Sequence, residues 1–132
     1  MASSPRLVVF KRLETARQEA SLTRTLPLPA PMVAEIERAV AEIFDRLGGA
    51  SLLKASRDVY IKPNGIDAKP YCHTRPEVVR AAIAYFQAQG ARRVYLVEGS
   101  TQANFTRVVF AVNGYAKLCR ETGATPVYLD EE

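Results

Sequence analysis

Among its 132 residues the sequence holds one histidine, His73, and two cysteines, Cys72 and Cys119. A single imidazole leaves little room for a histidine metal site or for imidazole-based acid–base chemistry, and no metal ligand set is expected. Two thiols fall short of the four that an iron–sulfur cluster takes, so no cluster is expected from this chain alone. Buried or half-buried thiols are the plainer reading of both cysteines. No apolar run approaches the ~20 residues that span a bilayer. The four apolar residues at 7–10, cut off by Lys11, are too few for the core of a signal peptide. A cytoplasmic chain without a membrane partner is the expectation. Also absent are GxGxxG, GxxxxGK(S/T) and GxSxG, which disfavours a Rossmann dehydrogenase, a P-loop NTPase and an α/β-hydrolase.

What is present is an ordinary globular balance, with 48% hydrophobic and 24% charged residues. A chain of this length supports one core, so residues 1–132 read as a single domain. The formal net charge is +4. Much of it sits between residues 54 and 93, where eight basic side chains face Asp58, Asp67 and Glu77. Such a window favours an anionic partner, with a solvated surface as the bland alternative.

Periodicity supplies the elements. Leu7, Val8, Val9 and Phe10 form a short β-prone run and read as a first strand. Residues 14–31 read as a loop or arm, extended by Pro27, Pro29 and Pro31. Val33, Ile36, Val40, Ile43, Phe44 and Leu47 recur at helical spacing, which predicts a helix from Pro31 to the Gly48-Gly49 stop. A strand follows at 58–62. Thr74 and Glu77 have the spacing of a capping box ahead of a helix that ends at Gly90. Residues 93–97 read as a strand, and 104–123 as helix with a break at Asn113-Gly114. The last strand is 126–129. Strands alternating with helices in this way predict an α/β fold, a mainly parallel sheet in a βαβαβ core preceded by a further strand and helix. The chain stops just after its last strand, in Asp130-Glu131-Glu132, which suggests one half of a larger domain.

In open parallel sheets ligands bind beyond the carboxyl ends of the strands. Loops 62–75 and 98–107 meet that rule, and each leads into a helix N-terminus, where unpaired N–H groups suit an anion. Lys62 and Arg107 are the candidate cations for a small anionic ligand. Asn64, Thr74, Arg75, Ser100 and Thr101 are the candidate orienting groups. Glu98 is the candidate acid–base; equally, it could bind ribose hydroxyls or Mg²⁺, or pair with Lys62 or Arg107. Pro63-Asn64-Gly65 is by itself an ordinary turn signal. Cys72 and His73 are sequence neighbours that point oppositely in extended backbone, so neither a metal site nor a thiol–imidazole pair is expected of them.

Several short motifs carry a family likeness. Val59-Tyr60-Ile61-Lys62-Pro63-Asn64 resembles the "IKPN" strand end of the family called domain of unknown function 362. His73-Thr74-Arg75-Pro76-Glu77-Val78-Val79 resembles its helix entry, and Gly90 through Gly99-Ser100 its next strand. Gly114-Tyr115 and Leu129-Asp130 are similar to its later positions. The resemblance covers residues 59–130 and marks Lys62, Asn64, Thr74 and the Glu98-Gly99-Ser100 corner. It implies no settled activity. Longer members often continue into a second half, and some carry ferredoxin-like cysteine motifs that this chain lacks.

Two functions follow as expectations. One is an anion-binding α/β domain. The other is a non-catalytic interaction module that homo-oligomerises, or pairs with a separate C-terminal chain to complete a larger redox or catalytic protein, because a short parallel sheet leaves an edge to cover. Nucleic acid is a weak third partner, since no recognition helix or RNA-binding motif accompanies the basic window.

Overall fold

A computed structural model describes residues 7–14, 27–69, 72–100 and 105–131. Helix α1 spans Ala30–Arg46, followed by a 3₁₀ turn at Gly49–Lys54 and strand β1, Asp58–Ile61. Helix α2 is Pro76–Ala88, β2 is Arg93–Glu98, α3 is Thr106–Val112, α4 is Tyr115–Thr122 and β3 is Thr125–Tyr128. The α/β architecture expected from the alternation is present. Gly114, at φ 81°, makes the break between α3 and α4, in a backbone region that costs glycine nothing. No helix among the described residues is long and apolar enough to cross a membrane.

Two expectations are corrected. Residues 7–10 form no strand; Leu7, Val8 and Phe10 lie exposed, without the ladder partner that β propensity needs. The Thr74–Glu77 capping box does not form either. Arg75 is the N-cap of α2 and no side chain caps it. The Thr74 hydroxyl instead accepts the Asn64 N–H at 3.1 Å, and Glu77 pairs with Arg75. Pro76 begins the helix without a capping side chain because its position needs no N–H partner.

The three strands run in the order β1-β2-β3, all parallel, from Asp58↔Arg93 to Ile61↔Leu96 and from Tyr95↔Thr125 to Glu98↔Tyr128. Each strand lies beside its predecessor, so right-handed crossovers place α2 and the α3–α4 pair on the same face. That face holds the core: Val79 and Ile83 of α2, Val94 and Leu96 of β2, Phe110 of α3, and Tyr115, Leu118 and Cys119 of α4. Burial pushes the Cys119 thiol up to about 11, as befits an inert core group.

Helix α2 has three working flanks. Val79 and Ile83 meet the sheet, Arg80 and Gln87 reach α4 through Glu121 and the Thr122 carbonyl, and Ala81 and Tyr85 meet α1. Helix α1 therefore lies on the far side of α2 from α4, beyond β1. Its core cluster is Met32, Ile36 and Ala81, joined by Leu13, Leu28, Val40 and Val78, with no strand residue among them.

Among the described residues the other face of the sheet has no such layer. Along β2, Val94, Leu96 and Glu98 are buried, while Arg93 is exposed and Tyr95 and Val97 are half-buried. Tyr60 stacks on Tyr95 across the strands at 4.8 Å, and the Arg93 guanidinium lies over the Tyr95 ring.

At the amino ends of the strands, Asp58 takes Arg92 and Arg93 together, which ties β1 to β2. Those two guanidinium groups hold its carboxyl down to about 2. A depressed folded-state value stabilises above the ordinary carboxylate range and is lost on acidification. The Asp58 tie is thus expected to be complete above about pH 4 and to fade towards pH 2, and Asp58→Asn is expected to flatten that limb of a stability–pH curve measured by urea denaturation.

Candidate functional site

The carboxyl ends of β1 and β2 open into the two loops singled out by the strand-end rule, and Glu98 stands between them. Its residue is only 3% exposed, because alternation along β2 turns it toward the helices. A buried carboxylate needs its acceptor positions filled, and here they are. Lys62 Nζ donates to Oε1 at 2.8 Å and to Oε2 at 3.0 Å. The Gly65 N–H donates to Oε2 and the Gly99 N–H to Oε1, each at 3.0 Å. Gly65 is small for a reason: a Cβ there would stand 3.2 Å from Glu98 Cγ. Lys62 differs from its partner, with 65% of its side chain exposed.

The rest of the corner is cross-tied. Ser100 Oγ donates to the Gly65 carbonyl at 2.8 Å, and the Ser100 N–H donates to Thr106 Oγ1 at 2.7 Å. The Thr106 N–H at the start of α3 is taken by Asp130 Oδ2. On the first loop, the Thr74 N–H donates to the Asn64 carbonyl at 2.7 Å while the Asn64 side-chain amide donates to the Cys72 carbonyl. The Tyr115 hydroxyl, buried beneath, donates to the Thr74 carbonyl and reaches the Asn64 carbonyl at 3.3 Å. Burial and the nearby Glu98 carboxylate raise the Tyr115 phenol well above its ordinary range, so it acts as a donor and not as an acid.

Of the expected site residues, Lys62, Asn64, Thr74, Glu98 and Ser100 come together in this corner. Arg75 stands next to Thr74, bound to Glu77 at 3.2 Å. Arg107 lies apart, paired with Glu131 and lying 4.4 Å from the centroid of the Tyr128 ring. Thr101 lies outside the described residues. Of the alternatives for Glu98, the geometry takes the ion pair with Lys62. A carboxylate so fully engaged becomes free for proton transfer only when Lys62 swings away. Cys72 is half-buried, and His73 Nδ1 is within 3.2 Å of the Lys69 carbonyl. Among the described residues no three His, Cys, Asp or Glu side chains gather to hold a metal.

The site reading missed Gly65, Tyr115 and Asp130, whose contributions are tertiary. For Tyr115 and Asp130 the sequence carried a signal, since both stand in the later motifs that resembled the family.

The family model described as a domain of unknown function (DUF362) matches residues 59–132. The chain belongs to the DUF362 family. The Glu98 corner, from Lys62 to Asp130, lies wholly within the matched residues, whereas α1 and residues 7–14 precede them. No curated protein and no solved structure matches the chain.

Removing Glu98 strands two amide donors, Gly65 and Gly99, and releases the lysine. Glu98→Ala is therefore expected to cost about 2–4 kcal/mol, against about 1 kcal/mol for Ser100→Ala, which loses one neutral bond; urea unfolding midpoints distinguish the two.

Proposed function

We propose that this DUF362 domain is an interaction module that self-associates through the uncovered face of its sheet. The observation that carries this reading is the alternation along β2. All-parallel sheets occur almost only with both faces covered, and their central strands read as buried throughout. Here β2 is central yet fully buries one side only, with Tyr95 and Val97 on the other side half-buried. The open side presents Tyr60, Tyr95, Val97 and Val127 with Arg93 at its margin, the aromatic and arginine composition of protein interfaces. Val97→Asp puts a charge in the middle of that face and touches none of the core. Light scattering is expected to find the wild type associated at micromolar concentration and Val97→Asp shifted to monomer. A monomeric wild type at that concentration would overturn the reading.

A second reading is favoured by Lys62. Its ammonium is fixed by a buried carboxylate while most of the side chain remains open to solvent, at the strand-end edge where ligands of open sheets bind. That arrangement supports binding of a small anion, with Lys62 as its contact, Asn64 and Thr74 shaping the loop, and Arg107 drawing the ligand in from the second loop. The acids that already pair with Arg75, Arg107 and Lys62 weaken the attraction, which places this reading second. Calorimetry with inorganic phosphate is expected to show binding that weakens with salt and falls about tenfold in Lys62→Ala, a loss of about 1.4 kcal/mol. Equal affinity in the wild type, Lys62→Ala and Arg107→Ala would reject it.

A further inference from the structure

We propose that the free edge of β1 is a docking site for a fourth strand, supplied by residues 7–10 of a second copy of the chain. The inference rests on the self-association reading and names the segment that crosses between copies.

The two edges of the sheet are not alike. Alternation along a strand turns N–H and C=O of successive residues to opposite sides. The Leu129 N–H donates to the Glu98 carbonyl, so the odd positions of β3 face β2 and Pro126 and Tyr128 face outward. Pro126 has no N–H, and the Tyr128 carbonyl is already taken by the Glu131 N–H at 3.1 Å. Pro126 therefore interrupts the regular ladder that another strand would need along that edge. On β1 the Arg57 carbonyl accepts from Arg92, so the odd positions again face inward and Asp58 and Tyr60 face outward. Both backbone groups of Asp58 are engaged by Ser56 Oγ. Tyr60 turns its N–H and C=O outward, and its residue is 67% exposed.

The same chain carries an apolar run without a strand partner. Leu7, Val8 and Phe10 are 65%, 79% and 87% exposed, in a β-prone segment. Its anchor places it on the wrong side of its own α1. Lys11 pairs with Glu42 at 2.6 Å, and the Glu14 N–H donates to Glu35 at 2.7 Å. At about 100° per residue, Glu35 and Glu42 stand nearly opposite Val33, Val40 and Phe44. The Phe44 ring meets Phe86 and Tyr85 of α2, so the flank of Phe44 turns toward the sheet and the flank of Glu42 away from it. A segment held on the outer flank reaches a neighbour's edge more readily than its own. The α1 cluster includes no strand residue.

The test pairs oligomeric state with amide exchange at Tyr60, in the wild type and in Val9→Pro. The proline deletes a ladder donor in a segment outside the core, so the fold is retained. The expected result is an associated wild type with a protected Tyr60 N–H, and a Val9→Pro chain that is monomeric with Tyr60 exchanging freely. Association that survives Val9→Pro and is lost in Val97→Asp would overturn the strand exchange and leave the sheet-face reading standing. A monomeric wild type with Tyr60 protected would mean that the segment serves its own sheet, which overturns the second copy. A monomer with Tyr60 free would overturn both readings.

Discussion

One buried carboxylate organises the carboxyl end of this sheet. Glu98 must lie on the helix side of β2 because alternation leaves it no choice, and a charge there is tolerable only with every lone pair engaged. The lysine that follows β1 and the amides of Gly65 and Gly99 meet that requirement together. In doing so they bind the first loop to the second, and Ser100, Thr106 and Asp130 continue the chain of contacts to the last turn of the sequence. The corner that first suggests a reactive site is also the clasp of the fold. Any chemistry at Glu98 would have to loosen what holds the loops together.

The two faces of the sheet make the same point from packing. Toward the helices, Leu96, Ile83, Phe110 and Tyr115 close a core with aromatic edges in contact. Away from them, Tyr60 and Tyr95 stack on one another, Arg93 lies over Tyr95, and Val97 and Val127 are half-buried. The contrast is drawn within single strands, residue by residue, so it reflects a layer that the described residues supply on one side only and not a difference in composition between elements.

Much of the fold was legible because local pattern and tertiary demand agree in it. The helix of residues 30–46, the strand ended by Lys62-Pro63-Asn64 and the break at Asn113-Gly114 stand where spacing and turn chemistry put them. Residues 7–10 did not follow their propensity, since a strand is defined by a neighbour that no local sequence contains. Thr74 and Glu77 had the spacing of a capping box, yet stronger partners claimed both: the Asn64 amide and the Arg75 guanidinium. At the site, residue types singled out Lys62 and Glu98 but not their pairing over other options. The family likeness marked Tyr115 but not its role, because its hydroxyl acts on carbonyls 41 and 51 residues away in the chain.

Pro126 limits more than a hydrogen bond. With the ladder on one side of the sheet interrupted by a residue that cannot donate, the two borders of the sheet are unequal. Were two copies to exchange strands reciprocally at β1 the pair would close on itself, whereas addition passed on from copy to copy would not. A ring nitrogen at the rim of β3 thus leaves β1 as the border better suited to lengthening the sheet.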